Sequence, residues 1–437
     1  MAWSSKSHLR RLLLTKQFPL GLEVLLVFRP VMSAANRIWN SCVWHSREAF
    51  KHEGRWPTEA ELKAKFKSFS SWKELHSQSA QAVVEEYFEA VSGYRKHRGN
   101  GHTEMNPPNF KPKGNLRTVT WKKQGFEVQG HTLVLKLSRK KESIRVPLPE
   151  GWDLLTLPDG RVLKGTPVEV KVKAVVRRCK VENLVLHVTL DLGVMPVDRA
   201  GAVSAYDYNS ALVARATSNG QLDLFVCREL LAQVQYRNKA VAEFQEKMSR
   251  CKEGSCRWRR CLSAKVFRLK KLNRRIRQME HALTKLFAEL DGAEGVAFVV
   301  VGDLTDLRRS ARTGMKGKKA NQKINQMAYD RLQSEQRYKN LMRGIETDPW
   351  TEKHTSTTCC VCGTSNLEWR RHRGLWVCGK CRLVLQADLN GSGNLLKQYL
   401  FGDCRNRVLP FAFGEPRVWR WDKRLNQFVQ VSPRAAA

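Results

Sequence analysis

Long hydrophobic runs are missing from this chain of 437 residues. A helix that spans a bilayer needs about 20 consecutive apolar residues, and no window of the sequence approaches that length. The apolar run Leu12 to Leu14 near the N-terminus is also too short for the core of a secretory signal peptide. We therefore expect a cytoplasmic protein with no membrane partner.

Acidic residues are scarce relative to basic ones. The chain has 41 aspartates and glutamates against 77 lysines and arginines, a formal net charge of +36. The basic residues are spread over the whole length, so the excess does not belong to one tail. Such a charge opposes compaction unless a polyanion neutralises it, and it predicts a nucleic-acid partner. A ribosome-like or membrane-surface protein would share this charge, but neither class accounts for the cysteine and aspartate motifs near the C-terminus.

The cysteines do not follow an extracellular disulfide pattern. There are twelve of them, and their arrangement favours a reducing compartment. Cys359, Cys362, Cys378 and Cys381 form two C-x-x-C pairs that are fifteen residues apart. Four thiolates at this spacing are typical of a structural zinc site, so we predict a zinc ribbon, with four buried small residues as the alternative. Cys360 lies outside the pattern and is not expected to bind the metal.

The first half of the chain predicts strands on either side of helices. A hydrophobic content of 42% and the length allow two to four domains. Residues 18–29 are apolar and rich in strand formers, and we predict a strand that Pro30 ends. Helical patterns begin at Ser33 and include a longer helix around residues 76–94. Strand patterns return over residues 116–192. A β barrel interrupted by a helical lobe accounts for this order.

A second domain is predicted from about Val197. Its elements are three strands, a helical hairpin around the break CKEGSC, a buried strand, a helix, a short strand and a final helix. We expect the three strands at residues 202–209, 211–217 and 221–227. The later strands are expected at 296–304 and from Ile345, with the helix between them at about 324–343. This is the element order of an RNase H-like fold.

Two aspartates occupy matching positions in that order. Asp207 would lie on the first strand and Asp388 on the final helix, where the two approach at one end of the sheet. Carboxylates are the ligands that Mg²⁺ prefers, and two such ions can promote the hydrolysis of a phosphodiester. We therefore predict a magnesium site at this pair, although an aspartate on a strand is by itself more often a surface residue.

Several strings of the sequence resemble one family, the transposon-encoded TnpB proteins and their relatives, the compact type V CRISPR effectors with a RuvC-like nuclease. The most specific similarity lies in residues 345–394, with TSTTCCVCG, VCGKC and ADLNGSGN. The strings WKELHSQSAQAVVEEYFEAVSGYRK and NPPNFKPKG are similar to the N-terminal helix of the family and its basic exit. The resemblance covers nearly the whole chain.

The resemblance implies an α+β multidomain fold. The first part is an oligonucleotide-binding-type β barrel (1–30 with 105–195) into which a helical recognition lobe (31–104) is inserted. The second part is an RNase H-like RuvC domain with a helical hairpin (196–350 with 383–437). A zinc ribbon that binds target nucleic acid (351–382) is inserted into this domain. It also implies a guide RNA that pairs with target DNA beside a short flanking motif. Structural Zn²⁺, catalytic Mg²⁺ and a bacterial cytoplasmic location, on the nucleoid when DNA is bound, belong to the same expectation.

The chain departs from the family at two positions. The first RuvC motif is usually Asp-x-Gly, but here it is Asp207–Tyr208–Asn209. The second usually has a glutamate at the end of its strand, where this chain has Gly302. Glycine has no side chain that could bind a metal, and the side chain of Asp303 would point to the other face of a strand. The usual third carboxylate is therefore missing.

Three functional hypotheses follow. In the first, a relocated carboxylate restores a working nuclease; we expect Glu352 first and Glu346 second, with Asp348 as a further candidate, although each alone could be a solvated surface acid. In the second, the protein is an RNA-guided DNA binder that no longer cuts and acts as a repressor. In the third, it is a zinc-ribbon RNA-binding protein without guided targeting, for which Asp207 and Asp388 would lie far apart.

Overall fold

The computed structural model describes residues 10–99, 105–139, 141–177, 180–197, 200–303, 328–371 and 374–432. The chain divides into two compact units. The first unit is Arg11–Val194, and the second combines Met1–Arg10 with Met195–Ala437. None of the helices in the described ranges is both long enough and apolar enough to cross a membrane.

The first unit contains antiparallel strands and four helices. Its strands are β1 (Arg11–Leu20), β2 (Val119–Lys122), β3 (Phe126–Gln129), β4 (Thr132–Leu135), β5 (Ile144–Pro147), β6 (Leu154–Thr156), β7 (Val162–Lys164), β8 (Thr166–Arg177) and β9 (Lys180–Val194). They form a four-stranded sheet in the order β1-β9-β8-β2, a meander β3-β4-β5 and a hairpin β6-β7. The predicted strands between residues 116 and 192 are thus confirmed, while the closure of these sheets into an oligonucleotide-binding barrel stays a prediction.

The helices of this unit correct one expectation from the sequence. They are α1 (Leu25–Glu53), α2 (Glu59–Phe66), α3 (Ser70–Lys73) and α4 (Ser77–Gly99). The prediction of a strand over residues 18–29 was wrong, because the strand ends at Leu20 and α1 runs through Pro30.

The reason for this error is a helical period hidden in an apolar run. Phe28, Val31, Met32 and Ala35 recur at helical spacing and are buried in the core of the unit, whereas Leu26 is 77% exposed. Burial of this face outweighs the backbone hydrogen bond that Pro30 cannot donate near the start of the helix. The expected boundary between barrel and lobe at residues 30 and 31 therefore falls inside α1.

The second unit is built around a seven-stranded sheet. Its strands are β10 (Ala202–Tyr208), β11 (Leu212–Thr217), β12 (Leu222–Val226), β13 (Val296–Gly302), β14 (Glu346–Trp350), β17 (Arg417–Asp422) and β18 (Gln427–Val431), in the order β14-β13-β10-β11-β12-β17-β18. Strand β10 is antiparallel to β11 and parallel to β13, which is parallel to β14. The last two strands were not predicted from the sequence.

Helices lie on both faces of this sheet. They are α5 (Arg228–Ser249), α6 (Cys256–Ala293), α7 (Tyr329–Leu341) and α8 (Ala387–Phe401). Tyr206 and Tyr208 pack with Phe287 of α6 on one face, and Ala205 packs with Leu389 of α8 on the other. The predicted element order is confirmed, and residues 324–327 of the expected fourth helix lie outside the described residues.

A small hairpin has Cys378 and Cys381 in its turn, and Cys359 and Cys362 lie in the segment before it. It consists of β15 (Leu375–Val377) and β16 (Val384–Gln386), which pair antiparallel. It lies between β14 and α8 in the chain, as expected for the ribbon. Its second strand continues to Gln386, four residues beyond the expected end at 382, and α8 begins at the next residue.

A buried ion network joins β11 to α6 and to the neighbouring strands β12 and β17. The guanidinium of Arg215 is fully buried and donates to Asp291, Asp223 and Glu294 over 2.9, 2.7 and 2.9 Å. Arg417 donates to Asp223 over 2.7 Å and to Glu294 over 2.6 Å. A buried charge of this kind is tolerated only because each partner is neutralised and hydrogen-bonded.

We predict that Arg215→Met destabilises the second unit by about 3–5 kcal/mol, because Asp291 and Asp223 would be left buried without their main cation. Urea denaturation followed by circular dichroism measures the change. Arg405→Gln is the matched control; its ion pair with Asp403 spans 2.8 Å but is 47% and 40% exposed, so no measurable change is expected. An equal effect of the two substitutions would contradict the prediction.

Candidate active site and metal centre

The four predicted zinc ligands lie together, two in the turn of the hairpin and two in the segment before it. The Sγ atoms of Cys359, Cys362, Cys378 and Cys381 are all within 4.8 Å of one another. Two of the Sγ–Sγ distances are 3.6 Å (Cys359 to Cys381) and 3.5 Å (Cys362 to Cys378). Zinc–sulfur bonds of about 2.3 Å place tetrahedral thiolates about 3.8 Å apart. The four sulfurs therefore fit one tetrahedral zinc ion.

The local environment separates these cysteines from Cys360. Burial opposes ionisation of Cys362, but hydrogen bonds with Thr364 and with the neighbouring thiols lower its pKa to about 6. Burial raises the pKa of Cys360 to about 12, and its backbone N–H donates to Asn390 Oδ1 over 2.8 Å. Cys360 belongs to the packing against α8 and not to the sulfur cluster.

Asp207 and Asp388 are brought together by the packing of α8 on β10. Side chains alternate along a strand, so Asp207 shares the face of Ala205, which α8 covers. The carboxylate of Asp207 lies against the backbone of Gly391, where an added Cβ would be 3.4 Å from Asp207 Cγ and would collide with Oδ2. Glycine is required for this close approach. It fixes Asp207 within one helical turn of Asp388.

Glu352 occupies the space that a side chain at position 302 would fill. Residues Gly302 and Trp350 are partners in the register of β13 and β14, and the chain turns back after Trp350. A Cβ built on Gly302 would collide with Glu352 Oε1 and lie 2.6 Å from its Cδ. A carboxylate from the next strand connection therefore lies directly beside position 302, where the sequence itself has none.

The electrostatics link these three acids. Burial raises the pKa of Asp207 well above its usual range, and the negative charges of Glu352 and Asp388 raise it further. Arg370 opposes this effect, and its Nη2 lies 4.0 Å from Asp388 Oδ1. The charges of three carboxylates therefore meet at a half-buried site, and among the described residues the Arg370 guanidinium lies beside it. This donor set, all oxygen and net negative, suits a hard divalent cation.

Asp388 is oriented by two amide side chains. Asn209 Nδ2 donates to Oδ1 over 2.8 Å, and Gln386 Nε2 donates to Oδ2 over 2.9 Å. Gln386 also caps α8 by accepting from the backbone N–H of Asp388 and Leu389. The unusual Asn209 of the first motif is therefore a hydrogen-bond donor to the second aspartate.

The remaining candidate acids are held elsewhere. Glu346 accepts from Arg10 over 2.8 Å and pairs with Phe298 in the sheet register, four residues from Gly302 and about 13 Å along the strand. Asp348 accepts from Arg337 over 2.8 Å. Within the described ranges, the four cysteines form a group of candidate ligand atoms that all lie within 4.8 Å of one another, and the three acids do not belong to such a group.

Sequence reasoning missed the residues on the other side of α8. Asn390, Asn394 and Lys397 are fully buried and contact the backbone of the segment that leads into the ribbon. Their spacing of four and three residues places them on one face of the helix. That spacing was the available signal, but their backbone partners are identifiable only in the folded chain. The proximity of Arg370 to Asp388 was missed as well.

We predict one zinc ion per chain, bound by these four cysteines. Cys378→Ser should lose it and lower the stability of the C-terminal region, because metal binding to such a hairpin is also folding energy. Metal analysis by mass spectrometry, together with proteolysis of the hairpin, measures both effects. Cys360→Ala is the control and should retain stoichiometric zinc. Wild-type protein without zinc, or zinc loss only in the control, would contradict this assignment.

Comparison with known proteins gives one family match. Residues 329–395 match the family described as Cas12f1-like, TNB domain. The matched stretch includes α7, β14, Glu352, the cysteine hairpin and Asp388, but neither Asp207 nor Gly302. No curated protein matches the chain.

Solved structures resemble the chain over most of its length. The Cas12f1-sgRNA-target DNA complex is 16% identical, with 85% of this chain and 82% of that chain covered and a TM-score of 0.56. The mini-RNA-guided endonuclease CRISPR-Cas_phi3 is 10% identical, with 92% and 94% covered and a TM-score of 0.45. CasPhi-2 (Cas12j) bound to crRNA is 12% identical, with 92% and 99% covered and a TM-score of 0.41.

At these identities the similarity to solved structures concerns the fold alone. The Cas12f1-sgRNA-target DNA complex, with a TM-score of 0.56, is the structure on which this comparison rests. The mixed α+β architecture of this chain is that of Cas12f1 over 85% of its residues. The sequence match adds a domain of the same group at residues 329–395. The chain thus carries a Cas12f1-like TNB domain within a Cas12f1-like fold, which confirms its resemblance to the compact type V CRISPR effectors.

Proposed function

We propose that this protein is an RNA-guided DNA-targeting effector whose RuvC-like centre cleaves DNA with the help of Mg²⁺. In this proposal Asp207, Glu352 and Asp388 are the metal-binding carboxylates, and the cysteine hairpin is a structural zinc ribbon. The guide RNA pairs with one DNA strand beside a short flanking motif, which leaves sequence selection to base pairing.

One observation carries the nuclease part of the proposal: the Glu352 carboxylate lies where a side chain on Gly302 would be. A silenced site would have no reason to keep a third carboxylate at this point. The influence of Glu352 and Asp388 on Asp207 also speaks against a protein whose two aspartates are far apart. An RNA-binding protein without guided targeting is therefore the weaker hypothesis.

The chemistry follows from the donor set. Magnesium held by these carboxylates would stabilise negative charge on a phosphodiester and activate a water molecule. Asn209 and Gln386 keep the Asp388 carboxylate oriented. Arg370 offers guanidinium donors to a phosphate oxygen beside Asp388.

An RNA-guided binder that does not cut is the second candidate. The observation that favours it is that both carboxylate oxygens of Asp388 already accept amide hydrogen bonds. Each oxygen has a second lone pair, so these bonds orient the carboxylate without blocking it. We therefore rank cleavage first.

A long basic face supports the nucleic-acid partner. Residues 257–277 of α6 contain ten lysines and arginines and no acid, and nine of the ten are exposed. Leu272, Ile276 and Met279 of the same helix are buried, and the last two belong to the core on this face of the sheet. A helix with one apolar face and one uniformly cationic face suits contact with a phosphate backbone.

We predict that guided cleavage by the wild type requires Mg²⁺. Its rate should fall by at least about 100-fold in Asp207→Asn, Asp388→Asn and Glu352→Gln. Loss of a metal ligand lowers activity at least as much as loss of a residue that only orients a ligand. Glu346→Gln is the matched control and should cut normally, since Arg10 holds Glu346 away from the site. Plasmid cleavage with a defined guide measures the rates, and DNA binding in EDTA shows that targeting is intact.

Three results decide between the hypotheses. Tight guided binding without cleavage by the wild type would favour the non-cutting binder. Cleavage that survives Asp207→Asn would contradict the RuvC-like assignment. A DNA preference that stays fixed when the guide is exchanged would contradict guided targeting.

We also predict that Lys271→Gln, Arg274→Gln and Arg275→Gln together weaken binding of the guide RNA. The logarithmic salt dependence of binding should fall by about one per lost phosphate contact. Filter binding at several salt concentrations measures both quantities. Lys285→Gln, in the same helix beyond the basic stretch and paired with Glu289, is the control. An unchanged salt slope in the triple variant would mean that this face does not contact the RNA.

A further inference from the structure

Three buried polar side chains of α8 hold the segment that carries Glu352. We call Asn390, Asn394 and Lys397 the α8 clamp. All three are fully buried, so their hydrogen bonds are made in a region without solvent, where an unmade bond is costly. Their partners are backbone atoms of residues 355–360, which connect Glu352 to the first zinc ligand.

The clamp makes several contacts with this short segment. Asn390 donates to the Thr358 carbonyl over 2.8 Å and accepts from the Cys360 N–H over 2.8 Å. Asn394 donates to the Thr355 carbonyl over 2.9 Å and also to Thr358. Lys397 donates to the Cys359 carbonyl over 3.2 Å. The position of the segment is thus fixed relative to α8 by side chains and not by regular secondary structure.

A chain of hydrogen bonds continues from the clamp to Glu352. The Glu352 carbonyl accepts from the Thr355 N–H over 3.2 Å and from Thr355 Oγ1 over 2.9 Å. Thr355 is in turn the residue that Asn394 holds. On the other side of Glu352, the Trp350 carbonyl accepts from the Asp303 N–H over 2.8 Å. The backbone of Glu352 is therefore held between the end of the sheet and the clamp.

Asp388 begins the same helix that carries the clamp. One rigid element thus sets the position of one carboxylate directly and of the other through hydrogen bonds. We infer that the α8 clamp is a set of positioning residues that holds Glu352 in metal-binding distance of Asp207 and Asp388, with Asn394 as the key contact. This inference rests on the proposed metal site and extends it to residues that contact neither metal nor substrate.

The inference is testable by Mn²⁺ binding to the full-length, zinc-loaded protein, followed by electron paramagnetic resonance. The component that Asp207→Asn removes defines binding at the site. We expect Asn394→Ala to weaken this component by at least about 10-fold, in the range seen for residues that orient metal ligands, with zinc content unchanged. The Mg²⁺ concentration for half-maximal guided cleavage should rise by a similar factor.

The chain offers a matched control on the same helix. Gln398 is also a buried amide that bonds to backbone, but its partners are Gly402 and Cys404 at the far end of α8. Gln398→Ala should therefore leave Mn²⁺ binding unchanged. A general loosening of α8 would instead affect both variants equally and would overturn the inference.

A second variant covers the case in which Asn394→Ala loses zinc. Thr355→Val removes only the hydroxyl bond to the Glu352 carbonyl and preserves side-chain shape; we expect a smaller shift of Mn²⁺ binding in the same direction. If Asn394→Ala keeps its zinc and binds Mn²⁺ with wild-type affinity, the inference is overturned. If Asn394→Ala loses its zinc, wild-type Mn²⁺ affinity in Thr355→Val overturns it instead. In both cases the proposed function still stands. Wild-type protein with no Asp207-dependent Mn²⁺ binding overturns both. Binding without cleavage overturns only the nuclease activity.

Discussion

The close packing of α8 against β10 is the constraint on which the positions of the acidic cluster and of the cysteine cluster depend. Residues 387–398 of this helix are all buried, so the first three turns have no solvent-facing side. Leu389, Leu395 and Leu396 fill the core against the sheet, while amide and ammonium groups face the segment before the ribbon. Buried polar groups are stable only when they are bonded, and here the neighbouring backbone supplies those bonds. The small and polar composition of ADLNGSGN is a consequence of being enclosed on all sides.

The cysteine hairpin shows why a metal is needed beside such a helix. Its two strands have three residues each, and its own core is limited to Trp376, two cysteines and Ala387, with Trp369 packed alongside. A two-stranded hairpin of this size is at best marginally stable in water. A tetrahedral metal site would supply the missing folding energy. Because Cys359 follows directly on the segment that α8 holds, order in the hairpin is transmitted to the backbone near Glu352.

Most of the second unit could be predicted because its elements are long and strongly periodic. Strands β10 to β14 and helices α5 to α7 follow from their hydrophobic patterns, and the aspartate positions follow from that order. The start of α1 was mispredicted, since a run rich in strand formers concealed a helical period that only packing reveals. The sequence ranked Glu352 before Glu346, but the geometric reason for that order lies in the register of β13 and β14, which places Trp350 and not Glu346 beside Gly302.

Steric exclusion explains why a glycine at position 302 occurs together with the Glu352 carboxylate. With Glu352 in place, no side chain fits at position 302, because even a Cβ would collide with the carboxylate. Glycine is therefore the residue that allows the acid to arrive from the neighbouring connection, and its presence need not mean that a ligand was lost. An acidic metal site requires a carboxylate at the right position in the fold, whichever residue of the chain supplies it. Burial raises the pKa of Asp207, and the negative charges of Glu352 and Asp388 raise it further because they oppose its ionisation. A carboxylate whose pKa is raised by burial and by neighbouring acids is typical of functional sites. The buried Arg215 network in the same unit differs, because each of its three acids forms an ion pair with that guanidinium.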